Sequence, residues 1–141
     1  MPLKPIKTKP RLEKIKNDPE KATMYAIYTL GKRWPAAEPL IAKHPIFAID
    51  YIEKLIQDKW PEAEPYVKDD AGTAYNYAAA SRHRFLEGEP AIKTNPFYAA
   101  LYAKYILKHR WPEAEEAIKK SRYWSDYNSH FLLRELPRKK K

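Results

Sequence analysis

The stretch WPAAEP at residues 34–39 recurs as WPEAEP at 60–65 and as WPEAEE at 111–116. The first two copies begin 26 residues apart, whereas the last begins 51 residues after the second, which leaves room for one more copy. FLEGEP at residues 85–90 fills that gap, with Phe85 in place of the tryptophan. A motif copied at a fixed period predicts stacked repeats, because each unit is too small to bury its own apolar face.

A second set of positions recurs upstream of each aromatic residue. Proline stands fifteen residues before it in three copies, at Pro19, Pro45 and Pro96. Asp70-Ala71 takes this place in the third copy, which has lost one residue inside the unit. Counting from that anchor, alanine recurs at 22, 48, 74 and 99 and tyrosine at 25, 51, 77 and 102. Spacings of three and four positions are typical of one helical face.

Capping residues and prolines divide each unit into a long and a short helix. Asp18-Pro19 and Asn95-Pro96 combine an N-cap side chain with a proline in the first turn. Each Trp-Pro pair breaks the chain, because the proline ring disfavours the α conformation of the residue before it. We predict long helices at 19–32, 45–58, 71–84 and 96–109, short helices at about 35–42, 61–68, 87–93 and 112–119, and a closing helix from Tyr123 to Leu136.

These helices predict an all-α fold, a right-handed, solenoid-like stack of about four 26-residue helix-turn-helix repeats with a closing C-terminal helix. The units span about 18–43, 44–69, 70–94 and 95–120, with a half-unit at 121–136. We expect the repeated aromatic side chains to fill the core between layers and to dominate stability. They are Tyr25, Trp34, Tyr51, Trp60, Tyr77, Phe85, Tyr102 and Trp111.

The net charge of +9 lies at the two ends of the 141-residue chain. Residues 1–16 hold six bases and one acid, and residues 134–141 hold five bases and one acid, so the chain between them contains equal numbers of each. We therefore predict a basic arm at 1–16, a single α-helical repeat domain at 17–136 and a basic tail at 137–141. Tails that only keep a protein in solution have the same composition.

The composition argues against catalytic and metal chemistry. The chain has no cysteine, which excludes disulfides and thiolate zinc sites. Its four histidines share no metal-ligand spacing, its three glycines form neither GxGxxG nor a P-loop, and its serines lack a nucleophile-elbow pattern. No signal peptide or membrane span is predicted. We expect a cytoplasmic protein without catalytic residues, metal, cofactor or small-molecule ligand.

The repeated glutamates Glu38, Glu64, Glu89 and Glu115 are expected to be structural. They lie near the starts of the short helices, where a carboxylate opposes the helix dipole and can accept from Trp or Tyr donors. A catalytic site needs unlike groups converging on one pocket, whereas a repeat spreads like groups along a face. An acidic ladder with a function of its own is the alternative interpretation.

Residues that depart from the repeat pattern are the candidates for partner binding. Tyr28, Tyr75, Tyr98 and Tyr105 lie off the stripe of core tyrosines and suit an interface. In the third unit the run Arg82-His83-Arg84 stands in a register that is apolar in the neighbouring units. Such a break in the pattern is typical of a functional site. Drift after the one-residue deletion explains it equally well.

The motif Arg-Trp-Pro-Glu-Ala-Glu, followed by a Pro-x-x-Ala-x-x-Tyr-Ala helix, resembles a tandem repeat found in uncharacterised tailed-bacteriophage proteins. The variant FLEGEPAI at residues 85–92 resembles a form of the same repeat. The likeness covers about residues 18–120 and implies a phage source and a helical array, but no activity. The two basic ends, and the missing residue, proline and tryptophan of the third unit, depart from that repeat.

We expect a non-catalytic interaction module, encoded by a phage, that binds a host or viral protein as an adaptor or inhibitor in the host cytoplasm. The alternative is a nucleic-acid-binding protein that uses the Arg82-His83-Arg84 patch and the basic ends. The end residues are Lys4, Lys7, Lys9, Arg11, Lys14, Lys16, Arg138, Lys139, Lys140 and Lys141. An enzyme is the third hypothesis and would need a deep pocket lined by unlike polar groups.

Overall fold

The described chain is helical apart from its connecting segments. The computed structural model describes residues 9–137, and no β-strand occurs within them, which confirms the all-α prediction. The helices are α1 (Lys9–Lys16), α2 (19–30), α3 (35–41), α4 (45–56), α5 (61–67), α6 (Ala71–Ser81), α7 (86–92), α8 (96–107), α9 (Pro112–Lys119) and α10 (Trp124–Glu135). None of these helices is long and apolar enough to cross a membrane.

Each long helix begins where the capping pattern predicts. The side chains of Asp18, Asp70 and Asn95 accept hydrogen bonds from backbone N–H groups of the first turn, whereas that of His44 does not. Proline occupies the first turn of α2, α4 and α8, where a missing N–H leaves no intrahelical bond unmade. The starts of the long helices therefore follow from local sequence alone.

Each long helix ends at an equivalent residue with a left-handed backbone, but the backbone hydrogen bond that this residue makes differs between helices. The angle φ is 65° at Gly31, 54° at Gln57, 63° at Arg82 and 62° at Lys108. In α2, α4 and α8 the N–H of that residue donates to the carbonyl five residues earlier, so the last turn is π-helical. In α6 the N–H of Arg82 donates to Ala78, four residues earlier, and the helix stays α-helical. The residue that the third unit lacks is therefore the extra residue of the π turn.

This geometry corrects the register assigned to the third unit. Arg82 is equivalent to Gln57 and Lys108, so the basic run 82–84 begins at an exposed helix end and continues into the loop. The prediction that this run replaces apolar side chains is wrong. The long helices also stop two or three residues before their predicted ends, because the left-handed residue terminates each of them.

The aromatic residue before each short helix has the same extended backbone. The angles φ and ψ are −121° and 85° at Trp34, −133° and 85° at Trp60, −120° and 85° at Phe85, and −118° and 85° at Trp111. Proline follows each tryptophan and excludes the α conformation there. Leu86 follows Phe85, and the backbone is unchanged. The break in the helix before the short helix therefore depends on tertiary contacts as well as on proline.

Consecutive long helices contact one another, and the short helices pack against them. The predicted core side chains that are almost fully buried are Tyr51, Trp60, Tyr77, Phe85, Tyr102 and Trp111. Tyr25 and Trp34 of the first unit are partly buried, and Trp34 packs against the core. Each of the tyrosines Tyr25, Tyr51, Tyr77 and Tyr102 contacts the aromatic ring that precedes the short helix of its own unit, with centroids 4.6–5.2 Å apart.

The segment predicted as an N-terminal arm contains a helix. Helix α1 begins at residue 9 and contacts α2, so helical structure starts before residue 17. At the other end, α10 buries Tyr127 and Phe131 against the preceding unit. Residues 1–8 and 138–141 lie outside the described part of the chain.

Candidate functional site

Hydrogen bonds between consecutive units recur with the same geometry. The N–H of Trp60 donates to the hydroxyl oxygen of Tyr77 over 2.9 Å, and this hydroxyl donates to Glu64 over 2.5 Å. The equivalent trios are Trp34–Tyr51–Glu38, Phe85–Tyr102–Glu89 and Trp111–Tyr127–Glu115. One tyrosine thus satisfies both a backbone N–H and a carboxylate of the preceding unit. The repeated glutamates accept hydrogen bonds from tyrosine, which confirms the predicted tyrosine donors.

Burial and these hydrogen bonds shift the pKa values of the groups involved. Burial first, and the bond to a carboxylate second, raise the pKa of Tyr51, Tyr77 and Tyr102 well above 10.0. The Arg33 guanidinium donates two hydrogen bonds of 2.8 Å to Glu38 and lowers the pKa of that carboxyl. These shifts favour neutral tyrosines, which donate, and an ionised Glu38, which accepts.

Arg84 and His83 both have acidic partners. The Nε and Nη2 atoms of Arg84 donate to Glu89 over 2.6 and 3.1 Å, in a bidentate pair like that of the first unit. The Nε2 atom of His83 lies 2.8 Å from Oδ1 of Asp58. Of the predicted basic patch, Arg82 alone makes no salt bridge with a described acidic side chain.

Small side chains near the end of α6 line a groove between α4 and α8. Ala79-Ala80-Ser81 replace KLI at residues 54–56 and YIL at residues 105–107. The first position of this run is exposed and is occupied by a large side chain in each of the other long helices, including Tyr28 in α2. Two adjoining depressions of about 470 and 490 Å³ result, and both are lined by Ala79 and Arg82.

The apolar lining of the groove comes from three long helices. Ala79 and Ala80 of α6 lie between Ile49 of α4 and Ile106 of α8. Tyr105 of α8 also lines the groove and keeps 56% of its surface exposed. An exposed aromatic ring beside small apolar side chains offers the contact area that partner side chains use at protein interfaces.

The polar lining of the groove is mostly basic. Arg82, His83, Arg84 and Lys108 line the depression between α6 and α8. Glu53 of α4 and Asn76 of α6 line the depression between α4 and α6. The groove therefore offers cations at its centre and toward α8, and a carboxylate with an amide toward α4.

The structure brings some of the predicted partner-binding residues together and separates others. Tyr105 and the run 82–84 line one groove. Tyr75 and Tyr98 are half-buried and contact each other, with ring centroids 5.9 Å apart, and they do not line it. Tyr28 is 70% exposed on α2 and also lies outside the groove.

Six of the ten basic end residues of the nucleic-acid alternative lie beyond the described chain. Helix α1 carries Lys9, Arg11, Lys14 and Lys16, and Lys16 pairs with Glu13 at an N–O distance of 3.1 Å. The other predicted residues lie outside the described part, and they are Lys4, Lys7, Arg138, Lys139, Lys140 and Lys141.

Four residues that the structure makes important were not among those predicted from the sequence. Three of them, Ala79, Glu53 and Lys108, line the groove. Aligning the ends of the long helices, with the deleted residue allowed for, would have shown the small side chain at position 79. Tyr127 lies 25 residues after Tyr102 and completes the last trio, so the period itself was a signal for it.

Between residues 9 and 137, no three His, Asp or Glu side chains are arranged to share a metal ion. Comparison of the chain with protein-family models, curated proteins and solved structures finds no match. Function is therefore inferred from the groove itself.

Proposed function

We propose that this protein is a non-catalytic interaction module that binds a protein partner in the groove across α6. The observation that carries this proposal is the pair Ala79-Ala80, which lines depressions of about 470 and 490 Å³ where the neighbouring long helices have larger side chains. Large side chains at these positions would bury more apolar surface and stabilise the fold further. Small ones that leave space favour a surface kept open for a ligand.

The proposal includes a solenoid-like arrangement of the four helix pairs. Contacts between consecutive long helices, and the tyrosine bonds that recur from each unit to the next, support it. Stacked helix pairs present extended, shallow surfaces on which a peptide or a helix of a partner can lie across several units.

The groove's lining favours binding over catalysis. Tyr105 and Arg82 belong to the residue types that contribute most to protein–protein binding, and they flank small apolar side chains. A role as adaptor or inhibitor suits such a surface. The resemblance of the sequence to phage repeats supports a partner from a bacterial host or from the virus, met in the host cytoplasm.

Filling the groove tests this proposal. Ala79→Tyr installs the residue found at the equivalent positions of α2 and α8, and position 79 is exposed, so the fold is expected to be retained. The wild-type and variant proteins serve as baits in nuclease-treated bacterial extract. Captured proteins are then purified, and their affinity is measured by calorimetry. We expect a partner that binds the wild-type protein and is lost with A79Y.

The matched control is Tyr28→Ala, which changes the equivalent position of α2 outside the groove. It should retain the partner. Proteins that bind wild type and A79Y equally, or the absence of any captured protein, would contradict a protein-binding groove. Capture that disappears with nuclease treatment would instead support the nucleic-acid alternative.

A further inference from the structure

The two sides of the groove differ in charge. Arg82, at the end of α6, lines both depressions, Lys108 lines the one toward α8, and neither takes part in a salt bridge of the described residues. Glu53 is exposed at the α4 side. The fold does not require these cations, because Gly31 and Gln57 occupy the same left-handed position in α2 and α4. Their charge is therefore available to a ligand.

The size of the groove defines the length of chain that it accommodates. It crosses α6 and reaches both neighbouring long helices. Packed helices lie about 8–10 Å apart, so the distance from α4 to α8 is about 20 Å. An extended chain advances about 3.3 Å per residue, and about six residues therefore span the groove.

We propose that the groove binds an extended, acidic segment of about six residues in a partner protein. This inference rests on the proposed function and specifies the chemistry of the partner. A carboxylate of the segment pairs with Arg82 and Lys108, and an apolar side chain fills the space above Ala79 beside Ile106. The other end of the segment faces Glu53 and carries an amide or a lysine.

Charge and shape favour an acidic peptide over a nucleic acid at this site. A nucleic acid carries a phosphate on every nucleotide and gains affinity from many cations along its backbone. The groove offers two cations that make no salt bridge with a described residue, Arg82 at its centre and Lys108 toward α8, and Glu53 would repel a phosphate toward α4. A peptide with one or two carboxylates at one end matches this distribution, and charge-assisted bonds to arginine and lysine hold such groups well.

A peptide selection tests the proposal directly. The immobilised full chain selects binders from a display library of random peptides about seven residues long, which is the span of the groove with a small margin. The Ala79→Tyr protein removes peptides that bind elsewhere. We expect the surviving peptides to be enriched in Asp and Glu at one end and in an apolar residue near the centre.

Charge removal then tests the predicted contacts. A selected peptide is synthesised with a fluorescent label and titrated by anisotropy against Arg82→Gln and Lys108→Gln, each of which installs the residue that α4 has at that position. Each change should weaken binding about tenfold or more, because each removes a hydrogen bond to a charged group. Lys68→Gln, an exposed charge outside the groove, should change the affinity by about twofold at most. Unchanged thermal denaturation confirms that the variants fold.

Each outcome has a distinct meaning. Peptides that A79Y excludes but that lack acidic residues, or that bind R82Q and K108Q as tightly as wild type, overturn this inference and leave the protein-binding groove standing. The absence of any peptide that A79Y excludes overturns the proposed function as well. Labelled single-stranded and duplex oligonucleotides that bind wild type but neither A79Y nor R82Q would replace the peptide by a nucleic acid.

Discussion

At the scale of single residues, one tyrosine hydroxyl per unit connects it to the unit before. The hydroxyl accepts from a backbone N–H whose own helix has ended, and it donates to a carboxylate in the first turns of the short helix. Phenylalanine would fill the same volume and could make neither bond. The recurrence of tyrosine, and not simply of an aromatic residue, therefore has a physical reason.

Tyr77→Phe should lower the free energy of unfolding by about 1–3 kcal/mol, because it leaves the buried N–H of Trp60 without an acceptor. Urea denaturation followed by circular dichroism measures this change. Tyr105→Phe is the control, since Tyr105 is 56% exposed, and it should change stability by no more than about 0.5 kcal/mol. Equal effects of the two variants would contradict the structural role of the tyrosine hydroxyl.

A second residue-scale prediction concerns Phe85 and Gly88, which occupy the places of tryptophan and alanine in the other units. The backbone at Gly88 has φ −90° and ψ −13°, which alanine adopts easily, but an added Cβ would lie 2.5 Å from Phe85 Cδ2 and 2.9 Å from Ala74 Cβ. Gly88→Ala alone should therefore destabilise the protein by about 1–3 kcal/mol. Chemical denaturation checks this value.

Adding Phe85→Trp to Gly88→Ala recreates the pair found in the other units and should recover part of that loss. Contacting residues couple by about 0.5–3 kcal/mol, so a double-mutant cycle detects the recovery. If the effects of the two substitutions are additive, the ring at position 85 is not the reason why position 88 requires glycine.

At the scale of elements, the π turn explains how units of different length keep the same geometry. The long helices α2, α4 and α8 contain one residue more than α6 between N-cap and left-handed end, and the five-residue hydrogen bond absorbs it. The aromatic residue that follows then has the same backbone conformation in every unit.

Deleting Glu53 should convert the π turn of α4 into an α-helical end like that of α6, because Glu53 is exposed and the flanking register is unchanged. We expect a folded protein that loses no more than about 1 kcal/mol, roughly one backbone hydrogen bond. Circular dichroism and urea denaturation measure the outcome.

Deleting Asn76 from α6 is the matched control, since that helix has no extra residue to lose. The deletion rotates the following face by about 100°, which carries Tyr77 away from the core, and it should unfold the third unit. Comparable losses from the two deletions would contradict the role assigned to the π turn.

At the scale of the whole molecule, the buried tyrosines make stability depend on alkaline pH. Burial, together with the bond to a glutamate, raises the pKa of Tyr51, Tyr77 and Tyr102, and it raises that of Tyr127 to about 12. In the unfolded chain these groups titrate near 10.0. Because the folded pKa is the higher one, this contribution to stability is complete below pH 10 and is lost as pH rises through the folded values.

The free energy of unfolding, measured in urea from about pH 9 to about pH 11, should therefore fall steadily above about pH 10. Tyrosinate absorbance should show the buried tyrosines ionising together with unfolding. Tyr77→Phe should make the decline less steep, whereas Tyr28→Phe, an exposed site, should leave it unchanged. A flat profile for the wild-type protein would contradict the raised pKa values.

The sequence alone predicted the helical class, the period and the starts of the helices. These features depend on local interactions: an N-cap side chain bonds to its own first turn, and a proline restricts the residue before it. The identity of the core tyrosines also followed from spacing, since residues three and four apart share a helical face.

Only the tertiary structure determined which residues meet across the units. It paired each tyrosine with a glutamate 12 or 13 residues earlier, placed Arg84 on Glu89, and showed that Ala79 opens a groove beside Arg82 and Lys108. These facts depend on the π turn, which shifts the register of three helices by one residue; the shorter third unit reveals the difference in length, but not where in the helix the extra residue is absorbed. A groove exists only where the side chains of neighbouring helices differ in size, and their relative positions follow from packing rather than from local preference.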